Sequence, residues 1–122
     1  MQRSTKQRRA IQEILRSSAR PLSPKEIVDL ASEKGEVLSL TTVYRSLKAM
    51  IEMDDLSPVD IPGQPARYEA AGLEHHHHFH CDLCDRVFDI PGCLPEVHSL
   101  APPGFTTTHH DLTLMGTCPS CT

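Results

Sequence analysis

The sequence of 122 residues lacks any long apolar run, and its basic start, MQRSTKQRRA, is not followed by an apolar segment. A transmembrane helix needs about 20 consecutive apolar residues, and a signal peptide needs a shorter apolar core behind its basic start. The sequence has neither pattern, so we expect a cytoplasmic protein without a membrane partner. Because thiols stay reduced in the cytosol, paired cysteines there indicate metal binding rather than disulfides.

Positive charge is scarce in the later part of the chain. Residues 51–122 hold two Lys/Arg against eleven Asp/Glu, a net charge of −9, whereas residues 1–50 hold ten against five, a net charge of +5. The acidic part also carries all eight histidines and all five cysteines. This division favours nucleic acid as the partner of the basic part, and it favours cations as the ligands of the acidic part.

The length leaves little apolar surface to bury, because 122 residues form one average domain or two small ones. Small units are marginally stable alone, so we expect a metal ion or a partner subunit to contribute stability.

Hydrophobic periodicity predicts three helices in the basic part. The first covers residues 6–17, where Ile11, Ile14 and Leu15 form one apolar stripe. The second begins with SPKE, residues 23–26, which is a capping box with proline at the first helical position, and Gly35 is suited to end it.

The third predicted helix, residues 40–53, has two different faces. Its apolar face carries Val43, Leu47, Met50 and Ile51. Its polar, basic and aromatic face carries Thr41, Tyr44, Arg45 and Lys48. Two extended runs, residues 56–61 and 66–70, follow and are joined by a Pro/Gly turn, which predicts a hairpin. This pattern describes a winged helix-turn-helix whose third helix enters the DNA major groove; a small helical bundle with a solvated charged face is the alternative.

Two CxxC pairs, Cys81-x-x-Cys84 and Cys118-x-x-Cys121, supply the four thiolates of a closed structural zinc site. A redox pair is the alternative, but it leaves the second CxxC unexplained. The 33 residues between the pairs exceed zinc-ribbon spacing, so we expect a small subdomain whose ends the metal joins. Cys93 is left over, and we expect a small buried side chain rather than a ligand.

The stretch EHHHHFHCDLC, residues 74–84, is the second indication of metal. Because side chains alternate along a strand, His76 and His78 share one face and His75 and His77 share the other. One short strand then serves two metal centres. Further ligands must come from a candidate set that consists of Glu69, Glu74, Asp82, Asp85, Asp89, Glu96, His98, His109 and His110. We interpret His80 and His98 as solvated or outer-shell groups, which is the usual role of a lone histidine.

Three segments, LSLTTVYRSL (38–47), RYEAAGLEHHHHFHCDLC (67–84) and HHDLTLMGTCPSC (109–121), resemble the ferric uptake regulator family in order and spacing. That family includes iron, zinc and manganese sensors and a peroxide sensor. The resemblance implies a dimeric, metal-dependent repressor, not an enzyme, that binds an AT-rich inverted repeat at metal-uptake genes. It also implies an α+β fold, with a winged-helix DNA-binding domain in residues 1–71 and a small α/β dimerisation domain in residues 72–122.

The same resemblance assigns the site residues. The structural zinc falls on Cys81, Cys84, Cys118 and Cys121. The regulatory divalent metal, Fe²⁺, Mn²⁺ or Zn²⁺, falls on Glu69, His76, His78 and Asp89. A second site inside the dimerisation domain falls on His75, His77, Glu96 and His110. The predicted DNA contacts, including neighbours on the third helix, are Arg8, Thr41, Thr42, Tyr44, Arg45 and Lys48.

Two departures from the family concern the predicted metal sites. Many members supply a regulatory histidine just before the second helix, where this chain has Pro21, and no histidine precedes His75. The hinge metal is then completed by carboxy-terminal ligands or by a substitute among Asp54, Asp55 and Asp60. His77 stands where aspartate is common, so the second site is richer in nitrogen. No thiolate is among the predicted regulatory ligands, which favours iron or manganese over zinc; a zinc uptake regulator or a peroxide sensor is the alternative within the family.

Two other classes of protein stay open from the sequence. A small zinc hydrolase would use His76, His78 and a carboxylate around an open zinc, with Glu69 or Glu74 as general base. A zinc-buffering or metal-storage protein is the other class. Neither explains the basic third helix or the charge division.

Overall fold

The computed structural model describes residues 2–122, including the side chains of all of them except residues 2–4 and Pro95. The chain divides into two compact units, of which the first ends at Gly72 and the second begins at Leu73. Among the described residues, no helix combines the length and the apolar character that crossing a membrane requires.

The first unit begins with three helices, α1 (Gln2–Ser18), α2 (Pro24–Glu33) and α3 (Leu40–Glu52). Helix α1 starts earlier than the predicted residue 6, while α2 and α3 begin at the predicted residues. Apolar side chains from all three helices and from the segments that follow them form one buried core, which consists of Ile11, Ile14, Leu15, Leu22, Ile27, Ala31, Leu38, Val43, Leu47, Met50 and Leu56. Removal of this surface from water is the main stabilising contribution to the unit.

The start of α2 depends on the predicted capping box. Ser23 Oγ accepts a hydrogen bond from the Glu26 amide at 3.2 Å, and Glu26 Oε1 accepts one from the Ser23 amide at 3.1 Å. Arg20 adds an ion pair to the Glu26 carboxylate at 2.8 Å. Beyond the other end of α2, Gly35 has a φ of +83°, a conformation that side chains with a Cβ rarely adopt. Sequence-local chemistry therefore sets both ends of this helix.

A hairpin completes the first unit. Strands β1 (Leu56–Val59) and β2 (Arg67–Ala70) pair antiparallel. Both strands are shorter than the predicted runs, because a turn occupies the residues between them. In this turn the Gln64 amide donates a hydrogen bond of 3.0 Å to the Ile61 carbonyl. Leu22 and Tyr68 exchange two backbone hydrogen bonds of 3.0 and 2.9 Å, which attach the hairpin to the segment before α2. Three helices followed by this hairpin form a winged helix-turn-helix.

The second unit is built on a sheet with strand order β4-β3-β5, in which β3 (His76–Cys81) is central. Strand β4 (Val87–Pro91) pairs antiparallel with β3, and β5 (Thr113–Gly116) pairs parallel with it. Two 3₁₀ turns, Pro95–Leu100 and Pro119–Cys121, supply its helical turns. The first turn is followed by Pro102 and Pro103, which lack an amide N–H and so cannot extend it as an α-helix.

Candidate metal centres and nucleic-acid interface

Four sulfur atoms converge at the end of β3. The Sγ atoms of Cys81, Cys84, Cys118 and Cys121 all lie within 4.8 Å of one another, and none of these cysteines is in a disulfide. The Sγ atoms of Cys84 and Cys118 are 3.8 Å apart. A tetrahedron of sulfurs at about 2.3 Å from zinc has edges of about 3.8 Å. The cluster therefore has the composition and the spacing of a closed zinc site.

The four thiols differ in how readily they ionise. A turn closes after β3, in which the Asp85 amide donates to the Cys81 carbonyl at 2.9 Å. Hydrogen bonds from the backbone of Cys84 and Cys118 lower the pKa of Cys81 to about 6. A hydrogen bond with Cys118, together with burial, raises the pKa of Cys121 to about 12. The cluster thus does not ionise all its thiols by itself, and binding a cation at neutral pH releases protons from it.

A second cluster, of nitrogen and oxygen atoms, lies on one face of the sheet. His76 Nε2 and His78 Nε2 are each 3.5 Å from Asp89 Oδ1. His78 and Asp89 are directly paired across β3 and β4, so their side chains project to the same side. His76 Nδ1 lies 2.8 Å from the carbonyl oxygen of Glu74, which can only accept, so Nε2 carries the lone pair. Two imidazoles and a carboxylate in this arrangement can hold a divalent cation.

Glu69, the fourth residue of the predicted regulatory set, lies on β2 of the first unit and stays a predicted ligand. Asp54, Asp55 and Asp60, which the sequence offered as substitutes, also lie in the first unit. Pro21, at the position of the missing histidine, is buried.

The third cluster uses the alternate histidines and differs from the prediction in one residue. The ligand atoms of His75, His77, His110 and Cys93 all lie within 4.8 Å of one another. Glu96 belongs to none of the three clusters that the described residues form. Cys93 is exposed, so the expectation of a small buried side chain is wrong. The physical reason is that β4 ends at Pro91, opposite His76, and the chain leaves the sheet there.

Two imidazoles of this third cluster, His77 and His110, have lowered pKa values. Burial, and then the neighbouring His75 ring, lower the pKa of His77. The same two causes lower the pKa of His110, and His98 adds to them. These rings are therefore uncharged near neutral pH, which is the form that binds a metal ion. His98 Nε2 is 3.0 Å from His110 Nδ1, an outer-shell position like the one expected for it.

Helix α3 presents the predicted two faces. Val43, Leu47 and Met50 are buried, Ile51 is half-buried, and Thr41, Tyr44, Arg45 and Lys48 are exposed. Thr42 is half-buried, and both its amide and its hydroxyl bond to Ser39 Oγ at the start of the helix, at 3.1 and 2.9 Å. Arg8 is half-buried on α1. The exposed face thus offers two cations, an aromatic ring and a hydroxyl to a polyanion.

A winged helix-turn-helix, joined in one chain to a unit with a four-sulfur cluster and two imidazole clusters, defines a metal-responsive DNA-binding regulator. The chain belongs to the Ferric uptake regulator family, whose sequence profile matches residues 2–115. This match confirms the resemblance seen in the sequence. Members of the family are dimeric DNA-binding transcription regulators and not enzymes, so the hydrolase alternative is set aside.

The chain is similar to regulators with different named roles. It is 29% identical over 97 residues to the ferric uptake regulation protein of Helicobacter pylori, which covers 80% of this chain and 63% of that protein. It is 31% identical to the peroxide operon regulator of Bacillus subtilis, over 98% of this chain and 83% of the relative. It is also 31% identical to the zinc uptake regulation protein of Mycobacterium tuberculosis, over 98% of this chain and 94% of the relative. Sequence similarity to these relatives therefore does not show which metal this protein senses.

A solved structure gives the same fold. The Helicobacter pylori ferric uptake regulator, described as having three functional metal-binding sites, superposes with a TM-score of 0.69 at 27% identity. The superposition covers 95% of this chain and 79% of that chain.

Proposed function

We propose that this protein is a homodimeric cytoplasmic repressor that binds an AT-rich inverted repeat at metal-uptake genes when a divalent metal is bound. The observation that carries this proposal is the convergence of His76, His78 and Asp89 on one face of a sheet in a family of DNA-binding regulators. Two imidazoles and a carboxylate are suited to bind a divalent cation. In a DNA-binding regulator, such a cation would be the signal that controls DNA binding.

Zinc at the four-sulfur cluster has a structural role in this proposal. The second unit holds only 50 residues, from Leu73 to Thr122. Units of that size usually need a metal ion, a disulfide or a partner subunit to fold. Four thiolates leave no open coordination position on the zinc ion. The ion therefore stabilises the sheet and is not replaced by the regulatory metal ion.

The regulatory ion acts by linkage between the two units. Glu69 supplies a ligand from the DNA-binding unit, in the absence of a histidine at Pro21, while His76, His78 and Asp89 supply the rest. An ion held by residues of both units favours the arrangement in which all of them reach it. The population shifts toward this DNA-binding arrangement by the ratio of the ion's affinities for the two states, and by no more.

The ligand set favours iron or manganese as the sensed metal. The cluster of His76, His78 and Asp89, with Glu69, contains nitrogen and oxygen but no sulfur, and such sets suit Fe²⁺ and Mn²⁺ as well as Zn²⁺. Because intrinsic affinity follows the Irving–Williams order, cellular supply selects among these metals. A zinc uptake regulator and a peroxide sensor are the alternatives within the family.

Metal titration of DNA binding tests the proposal. The protein, verified to hold one structural zinc per subunit, is titrated with Fe²⁺, Mn²⁺ or Zn²⁺ under reducing conditions in the presence of a promoter fragment. We expect retardation of the fragment only with the regulatory metal present, and its release on chelation. If chelated protein with its structural zinc intact binds the fragment equally well at the same salt concentration, the mechanism is wrong.

The exposed face of α3 accounts for DNA contact in the proposal. Tyr44 and Arg45 read base edges in the major groove, while Lys48 and Arg8 neutralise phosphates. The acidic second unit repels the duplex, which favours docking through this face.

A charge-matched pair of variants tests this docking surface. Lys48→Gln is expected to weaken binding and to make the slope of log affinity against log salt shallower by about 1, since one phosphate contact is lost. Fluorescence anisotropy of a labelled operator across a salt series measures the slope. Lys34→Gln removes the same charge from an exposed position after α2 and should leave the slope unchanged. Equal slopes for the two variants would mean that α3 does not face the DNA.

A further inference from the structure

Three imidazoles and one thiol meet at the third cluster, in which the His110 ring is central. His110 Nε2 lies 3.0 Å from His75 Nε2, 3.2 Å from His77 Nε2 and 2.8 Å from Cys93 Sγ. Cys93 Sγ is also 3.3 Å from His77 Nε2. Four ligand atoms from separate parts of the chain, residues 75–77, 93 and 110, therefore converge on one small volume.

These separations are close to those of a tetrahedral site. Bonds of about 2.0–2.1 Å to nitrogen and about 2.3 Å to sulfur imply N···N edges of about 3.3–3.4 Å and N···S edges of about 3.5–3.6 Å. The measured contacts around His110, between 2.8 and 3.2 Å, become tetrahedral edges if the ligand atoms move apart by less than about 1 Å. Without a cation, these contacts are hydrogen bonds whose donor and acceptor depend on the tautomer of each ring. A cation would replace them by four bonds.

The outer shell of the cluster already sets the ring orientation that a ligand needs. His110 Nδ1 lies 3.0 Å from His98 Nε2, on the side of the ring opposite the cluster. When Nδ1 donates its hydrogen to His98, Nε2 keeps its lone pair and directs it at His75, His77 and Cys93. Metal-ligating histidines are almost always held in this way by a partner on the second ring nitrogen.

We propose that Cys93, and not Glu96, completes this site with His75, His77 and His110. The site is then a three-nitrogen, one-sulfur centre for a borderline-soft divalent cation, of the class of Zn²⁺ or, in vitro, Co²⁺. A carboxylate at the fourth position would suit Mn²⁺, whereas a thiolate disfavours it. The site and the regulatory cluster, which contains no sulfur among its described ligands, therefore differ in metal preference.

Cobalt substitution distinguishes the two candidate ligands. Full-length protein, verified to hold one structural zinc per subunit, is titrated with Co²⁺, because only a cobalt–thiolate bond produces a sulfur-to-cobalt charge-transfer band. We expect the band in the unaltered protein and in Glu96→Gln, and its loss in Cys93→Ser with the structural zinc retained. A band that persists in Cys93→Ser at unchanged zinc content overturns the proposal, as does a band lost in Glu96→Gln.

Alkylation of Cys93 supplies a second readout that does not depend on cobalt. The thiol is exposed, so iodoacetamide reaches it in protein that holds only the structural zinc, and a cation bound at the third cluster blocks the thiolate. We expect Zn²⁺ to protect Cys93 and Mn²⁺ not to, with protection lost in His110→Ala. The Zn²⁺ affinity of the site should fall in Cys93→Ser by at least the ~10–100-fold that loss of an outer-shell partner costs. Unchanged alkylation of Cys93 in Zn²⁺ contradicts the proposal.

This inference refines the second metal site of the proposed function. Both readouts are made on protein without DNA, so the identity of the fourth ligand and the control of DNA binding can fail independently.

Discussion

Replacement of Cys118 by serine is expected to remove the structural zinc and to unfold the second unit. Cys118 is only 3% exposed, its amide donates to Cys81 Sγ at 3.4 Å, and it connects the end of the chain to the end of β3. Structural zinc in small zinc-binding peptides contributes on the order of 10–16 kcal/mol, as much as the whole stability of an ordinary domain. Native mass spectrometry measures zinc per subunit, and hydrogen exchange measures protection of β3, β4 and β5.

The control for this variant is Cys93→Ser, which makes the same chemical change at an exposed cysteine outside the four-sulfur cluster. It should keep one zinc in the four-sulfur cluster and a protected sheet, whatever its effect on the third cluster. A Cys118→Ser protein that retains its zinc and an equally protected sheet would exclude the structural role of this cluster.

Replacement of His78 by alanine is expected to abolish metal-dependent DNA binding without unfolding the protein. His78 is 7% exposed and provides one of the two imidazoles that meet Asp89. Loss of a direct ligand should lower the affinity for the regulatory metal by more than the ~10–100-fold that loss of an outer-shell partner costs. At a fixed metal concentration the DNA affinity then falls to that of the chelated protein, because the two equilibria are linked. Anisotropy of a labelled operator with and without Mn²⁺ measures the difference.

The matched control is His109→Ala. His109 is exposed, contacts Thr108 at 3.0 Å, and belongs to none of the three clusters of the described residues. This variant should bind DNA and metal as the unaltered protein does. If His78→Ala, with its structural zinc intact, still responds to Mn²⁺ at the same concentration, the regulatory ion is bound elsewhere.

The local elements could be predicted because their signals lie within a few residues. The capping box at Ser23 and the two faces of α3 depend on spacing along one helix. The separation of His76 and His78 from His77 depends only on alternation along β3. Each CxxC pair holds two sulfurs in one short loop, so only the meeting of the two loops required tertiary structure.

The third cluster could be predicted only in part. Its histidines follow from strand alternation and from the resemblance to the family, but its fourth member does not. Whether Cys93 or Glu96 reaches His110 depends on where β4 ends and on how the chain turns after Gly92, which has a φ of +80°. No periodic pattern records either fact. The signal available in the sequence was a fifth cysteine with no partner, two residues after the strand that pairs with the histidines.

The sequence by itself determined the elements whose physics is local: the starts of α2 and α3, the exposed basic face, the paired thiols and the alternating imidazoles. The tertiary structure decided which of these donors share one site, because ligands that are distant along the chain meet only through strand register and loop closure. Cys93 and His110 are 17 residues apart in the chain and 2.8 Å apart in space, and that contact sets the chemistry of the third cluster.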